Sequence, residues 1–220
     1  FAQSINSQRI ESFAADYKVV YTPLHGTGRV PVETILKRVG VTVVPVKEQY
    51  MPDPDFSTVK SPNPEEKDGL AMAIDLAEKE GASLVVATDP DSDRLGVVIK
   101  NNNDEFISLT GNQVGILLLN YIIEHKKSLV KNPAIVKTIV TTPMADAIAA
   151  NEEIEVYNVL TGFKFIGEKI FEFEQSGSNT YLFGFEESCG YLKGTYARDK
   201  DAVIASMLVC ELAATLKAEG

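Results

Sequence analysis

Apolar and polar positions along this chain come in blocks that read strand, helix, strand. Residues 17–21 (YKVVY) form a short apolar run of strand type, and residues 30–39 carry helical spacing closed by Gly40. Residues 41–46 give a second strand. A long Pro-rich stretch, MPDPDFSTVKSPNPEE, follows; loops of that length in compact domains are usually functional or disordered. Asn63 is expected to cap the next helix, with Pro64 at its first position and Glu65 and Glu66 in its first turn. Leu70, Ile74 and Ala77 share one face of that helix, and Gly81 ends it. Residues 82–87 (ASLVVA) are continuously apolar, as in a parallel strand buried on both faces. Residues 95–99 and 105–108 flank a turn cluster and predict a hairpin.

A second set of elements begins near Thr110, which caps a long apolar helix to about Lys127. Strands are expected at 134–141, 154–160 and 180–185, with helices at 143–150, 163–174 and 201–217. The fold class is therefore α/β, as two similar mixed-sheet α/β domains in tandem, residues 1–105 and 106–220, divided near 103–109. A faint internal echo supports two copies of one unit. VVYTPL (residues 19–24) recurs as IVTTPM (residues 139–144), and in each half a later strand runs into an acidic loop.

Composition narrows the function. The 220 residues hold 31 acidic and 21 basic side chains, a net charge of −10. That balance argues against a nucleic-acid binder, which needs a basic stripe. No run of ~18 apolar residues is present, so no membrane span is expected. The opening FAQSINSQRIESF lacks the basic and apolar regions of a signal peptide, and the only cysteines are Cys189 and Cys210. A reducing cytoplasm is the expected location. With only His25 and His125 present, a multi-histidine metal site is excluded.

The sharpest chemistry is TDPDSDR, directly after a buried strand. Ligand sites in open α/β sheets lie at the carboxyl ends of strands. Asp89, Asp91 and Asp93, in a tight loop, can converge on one hard cation such as Mg²⁺. An EF-hand needs Gly at the sixth place and Glu at the twelfth, where Arg94 and Lys100 stand. A haloacid-dehalogenase-type phosphatase would use Asp89 as nucleophile and Asp91 as acid, but expects Thr or Val at Asp93. Arg94 adds a planar cation suited to phosphate, or alternatively a salt bridge within the loop.

In the second half, Glu186 and Ser188 of GFEESCGY are two apart and can face the same way, a pair able to grip vicinal sugar hydroxyls, with Glu187 pointing elsewhere; a capped strand-to-loop exit is the alternative. Thr161 and Gly162 of TGFK follow a strand, with Lys164 as a mobile ammonium; Thr161 is also a candidate helix cap. YARDKD holds Arg198 and Lys200 with two acids, a solvated run or a source of a proton carrier. HGTG (residues 25–28) reads mainly as a turn, with anion binding as the alternative. His125, near a helix end, reads as structural.

TDPDSDR, TGFKFIG and GFEESCGY, in this order and on these strands, resemble the α-D-phosphohexomutase family. YTPLHGTG, the PNPE stretch and YARDKDA resemble its bacterial phosphoglucomutase branch. The resemblance covers essentially the whole chain and implies the second and third of four domains. Neither the TASHNP-like phosphoserine loop of the first domain nor the RPSGTEPK-type loop of the fourth is found in the sequence. KSPNP (residues 60–64) lacks the histidine of the serine loop, so Ser61 is not taken as the nucleophile.

The resemblance implies Mg²⁺ on Asp89, Asp91 and Asp93, and Arg94 beside the phosphoryl group in flight. It implies Thr161, Gly162, Glu186 and Ser188 on the sugar, and Lys164 or Lys200 in proton transfer. The implied reaction interconverts glucose 1-phosphate and glucose 6-phosphate through a phosphoserine and glucose 1,6-bisphosphate. This stretch alone is expected to be inactive, its partners being a hexose phosphate and domains 1 and 4 of the same polypeptide. Mannose or pentose phosphates, the phosphatase, and a non-catalytic sugar-phosphate-binding module are the alternatives.

Overall fold

The structure is a computed structural model that describes residues 2–5, 8–126 and 130–220. The first half contains β1 (Lys18–Thr22), α1 (Arg29–Arg38), β2 (Thr42–Pro45), α2 (Lys67–Glu80), β3 (Leu84–Thr88), β4 (Leu95–Lys100) and β5 (Phe106–Leu109). The second contains α3 (Gly111–Lys126), β6 (Pro133–Thr138), α4 (Met144–Asn151), β7 (Glu155–Val159), α5 (Phe163–Ser176), β8 (Thr180–Glu186), β9 (Gly190–Leu192) and α6 (Ala202–Glu219). Lys127, the predicted end of α3, lies outside the described residues. No helix among the described residues is long and apolar enough to cross a membrane.

Two mixed sheets form, with strand orders β2-β1-β3-β4-β5 and β7-β6-β8-β9. In each, the first strand pairs in parallel with its two neighbours, and the third pairs antiparallel with the strand that follows it. The aspartate loop joins β3 to β4 and the Glu186 loop joins β8 to β9, so the two loops occupy equivalent places. The duplication inferred from sequence is thus visible in topology, but its textual marker is out of register. β1 ends at Thr22, just before Pro23, whereas β6 ends at Thr138, four residues before Thr142 and Pro143.

Each sheet is covered on one face by its own helix: α2 packs over Val20, Val85 and Val98, and α5 over Ala134, Val136 and Leu192. The other faces share one continuous core, in which Tyr21, Leu36 and Val86 join Phe183, Tyr191 and Leu208. α6 is the wedge of that core. It touches α1, β3 and β4 on one side and α3 and β9 on the other. A helix apolar nearly all round must be buried on every side, and α6 is so through Ile204, Met207, Leu208 and Cys210. Its start is fixed by Asp201, whose Oδ1 accepts the Val203 and Ile204 N–H groups at 2.8 and 3.2 Å.

Two local expectations are corrected. α2 begins at Lys67, with Glu66 as its N-cap, not at Asn63. Asn63 instead folds its side chain onto the Glu65 N–H at 3.0 Å, a turn that competes with helix, and Pro64 is buried beneath β4 at Gly96. Strand β9, inside the predicted GFEESCGY loop, is only three residues long and gives no readable alternation. The fully buried Gln49, just before the Pro-rich stretch, ties the end of β1 to α2 on its far side. Its Oε1 accepts from the Thr22 hydroxyl at 2.7 Å and its Nε2 donates to the Gly69 carbonyl at 3.2 Å.

Candidate functional site

β3 is buried along its whole length and delivers residues 89–94 at its carboxyl end. The loop is wound on Asp89, whose Oδ1 accepts the N–H groups of Asp93 and Arg94 at 3.0 and 2.9 Å. This winding brings three carboxylates together, and ligand oxygens of Asp89, Asp91 and Asp93 lie within 4.8 Å of one another. Among the described residues no other group of three His, Cys, Asp or Glu side chains converges in this way. The donor set, all carboxylate oxygen without imidazole or thiolate, fits a hard divalent cation.

Burial, together with the nearby charges of Asp93 and Asp91, pushes the Asp89 carboxyl up to about 7, against the pull of the Arg94 N–H. A carboxyl that binds its proton more tightly when folded than unfolded favours folding at low pH. That share is fully present below the ordinary value of 3.8 and is lost as pH rises through about 7. Thermal melts of the metal-free chain from roughly pH 5 to 8 are therefore expected to show a falling Tm. Asp89→Asn should flatten the slope; an unchanged slope would refute this account.

Two cations flank the acids. Lys200 Nζ lies 2.8 Å from Asp93 Oδ2 and 3.1 Å from Asp199 Oδ1, above the Phe163 ring at 5.8 Å. Arg94 Nε stands 4.0 Å from Asp89 and 3.9 Å from Asp93, at the outer limit of ion pairing, with its side chain 41% exposed. Arg94 is thus not absorbed by a tight salt bridge.

The second-half residues reach the same place. Glu186 ends β8 nearly buried, and its Oε1 accepts the Gly162 N–H at 2.9 Å. Burial raises its carboxyl above the ordinary range, opposed by that N–H and by Lys200. Gly162 has φ 119°, a conformation that requires glycine, although a Cβ would meet nothing closer than 3.8 Å. Glu187 turns away, accepting from the Thr138 and Thr141 hydroxyls at 3.2 and 3.3 Å. Ser188 follows, half-buried. Thr161 is exposed and does not cap α5, whose N-cap is Gly162 without a side-chain bond.

The two loops are joined directly. Leu95 N–H donates to the Cys189 carbonyl at 3.0 Å, Ala202 N–H donates to the Ser92 carbonyl at 3.1 Å, and Arg94 bridges Gly190. Gly190 was not singled out in the sequence, yet a Cβ there would lie 2.3 Å from Lys200 Cδ. Gly111 likewise leaves room for the Glu187 carbonyl, 2.1 Å from a hypothetical Cβ.

Lys164 does not join the acids; it is exposed, with Nζ 4.9 Å from the Phe165 ring. Arg198 pairs with Glu174. His25 has both ring nitrogens engaged, and His125 is bonded to the Tyr121 carbonyl at 2.8 Å. Cys189 and Cys210 are buried and unpaired. A cavity of about 610 Å³ lined by Asn132, Glu155 and Asn179 opens at the amino ends of β6, β7 and β8, away from this chemistry.

Residues 1–102 match the family described as phosphoglucomutase/phosphomannomutase, alpha/beta/alpha domain II, and residues 110–219 match alpha/beta/alpha domain III. A phosphoglucomutase of Staphylococcus haemolyticus is 39% identical over 207 residues, covering 94% of this chain and 37% of that protein. The chain thus spans little more than a third of that relative. The fold matches that of a putative phosphomannomutase from Thermus thermophilus, with TM-score 0.75, 23% identity, and coverage of 94% of this chain and 44% of that one. It also matches an Aspergillus fumigatus N-acetylphosphoglucosamine mutase in complex with GlcNAc-6P and magnesium, with TM-score 0.63, 13% identity, and coverage of 94% and 50%.

Proposed function

Since this chain belongs to the phosphoglucomutase/phosphomannomutase family and matches its domains II and III, we propose that it is the metal- and sugar-binding portion of a phosphoglucomutase. The reading divides the chain as residues 1–105 for the metal loop and 106–220 for the sugar loop. The observation that carries it is the meeting of three carboxylates, Arg94, Lys200 and Glu186 where two equivalent strand-end loops join.

In this reading Asp89, Asp91 and Asp93 hold Mg²⁺, which when bound offsets negative charge on a transferring phosphoryl group. Arg94, with its planar donors, lies beside that group. Glu186 and Ser188 hold sugar hydroxyls, and Thr161 and Gly162 line the sugar's seat. The phosphoryl group passes from a phosphoserine outside these residues to one hydroxyl of a hexose phosphate. Against the pull of burial, Asp93 and Asp199 hold Lys200 as an ammonium; it gives a proton to the departing serine oxygen as the serine P–O bond breaks and takes the attacking hydroxyl's proton in return. The product, glucose 1,6-bisphosphate, turns over and returns its other phosphate to serine. Lys200 is preferred over Lys164 because it alone abuts the acids.

Domains 1 and 4 of the same polypeptide are the partners, and the two unpaired buried thiols suit a reducing cytoplasm. The aspartate-nucleophile phosphatase is not favoured: Asp89 Oδ1 is spent on two backbone N–H groups, and the relatives found are mutases.

The test uses glucose 1-phosphate, Mg²⁺ and a trace of glucose 1,6-bisphosphate. The 220 residues alone should form no glucose 6-phosphate, while glucose 1,6-bisphosphate should shift the NMR signals of Gly162, Glu186 and Ser188. Turnover by these residues alone, or no shift at those three positions, would overturn the reading.

A further inference from the structure

We propose that the HGTG turn, residues 25–28, is a brace that sets the shape of the aspartate loop, making Thr27 and Gly28 positioning residues for cation binding. The proposal rests on reading Asp89, Asp91 and Asp93 as a cation site.

The contact is made at Pro90, the residue between the first two acids. Its carbonyl accepts both the Thr27 N–H at 2.8 Å and the Thr27 hydroxyl at 3.0 Å. These two donors are spent inside the protein, which removes them from any anion site at the start of α1. The flanking glycines let the two backbones touch. A Cβ on Gly26 would lie 2.4 Å from Pro90 Cα and 2.6 Å from its carbonyl oxygen. A Cβ on Gly28 would lie 2.7 Å from each of Ser92 Oγ, Thr88 Oγ1 and Tyr21 OH. Three consecutive residues of the turn therefore lie against the strand end and the loop from 88 to 92.

The loop gives up something to sit there. Ser92 has φ 63°, and its hydroxyl is buried with no hydrogen-bond partner, a cost native loops rarely accept without a reason. The turn is fixed from its other side through His25, itself at φ 63°. The His25 N–H donates to the Gln49 carbonyl at 2.8 Å, while Nδ1 and Nε2 lie 2.9 and 2.8 Å from the Met51 carbonyl and the Thr58 hydroxyl. Held at both ends, the turn has little room to yield to an added methyl, so the strain at Gly28 falls on the Ser92, Thr88 and Tyr21 hydroxyls, the first of them on the aspartate loop.

The experiment measures Mn²⁺ affinity by calorimetry, and in metal-free protein the exchange of the Asp93 and Arg94 amides that wind the loop on Asp89. Gly28→Ala should weaken Mn²⁺ binding by about 10- to 100-fold, the range for losing an outer support of a metal ligand, and speed exchange of both amides. Thr27→Val, at an exposed residue whose replacement leaves the fold intact, should weaken binding about three- to tenfold, the worth of one hydrogen bond. Thr27→Ser should restore parent affinity. Gly81→Ala, at φ +66° with nothing within 4 Å, should lower Tm through backbone strain and leave Mn²⁺ affinity unchanged. If Gly28→Ala does not fold, the Thr27 pair decides. Parent-like Mn²⁺ affinity and amide protection in both Gly28→Ala and Thr27→Val would overturn the brace. A parent chain that binds no Mn²⁺ would overturn the cation reading instead, and amide protection alone would then judge the brace.

Discussion

Asp91→Asn should cost the chain on the order of 100-fold in Mn²⁺ affinity, at or beyond the upper end for losing even an outer-shell partner. The expectation rests on a division of labour within the triad. Asp89 is structural as well as a candidate ligand, because two backbone N–H groups depend on its Oδ1. Asp93 is already paired with Lys200. Asp91 is exposed and serves the loop only by its charge, so its replacement removes a ligand without unwinding the turn. That charge also raises Asp89, so the variant should melt at an equal or higher temperature without metal. Calorimetric titration with Mn²⁺ beside a metal-free melt checks both halves. Parent-like affinity would remove Asp91 from the ligand set.

Lys200→Ala in the full-length polypeptide should lower kcat by roughly 10²–10⁴, the usual worth of a positioned proton carrier, with KM changed only a few-fold. Lys200 is held by Asp93 and Asp199, with 14% of its side chain exposed, and Gly190 clears a path for its stem. Lys200→Arg should not rescue, because a guanidinium neither gives up its proton nor fits the same passage. Lys164→Ala should stay within a few-fold of parent. Steady-state kinetics on the three variants decide the matter; a large kcat loss at Lys164 with little at Lys200 would reverse the assignment.

Much of the fold was legible because it depends on short-range signals. Buried β3 reads as a continuous apolar run, Gly81 marks a left-handed helix end, and Thr110 caps the helix it precedes. The aspartate loop was legible for the same reason: three like charges after a buried strand have few uses. What was hidden depends on contacts distant in sequence. Nothing in YARDKD tells Lys200 from Arg198; only the approach of residues 89–94 does. Gly190 and Gly111 look like ordinary loop glycines until the other half of the molecule lies against them. Asn63 satisfied every local rule for a cap, yet Pro64 was claimed by β4. The role of α6 was least visible, since an apolar helix does not announce that it serves two sheets.

The shared wedge of α6 has a consequence for how the two halves can move. The helix fills the space between the sheets, and Leu95 and Cys189 stitch the loops above it. The floor that carries Arg94 and Glu186 is cast in one piece. Neither half can swing against the other without opening the core they share. On the two-step transfer proposed above, the reorientation would therefore fall on the ligand, turning over a surface that both halves of the chain share.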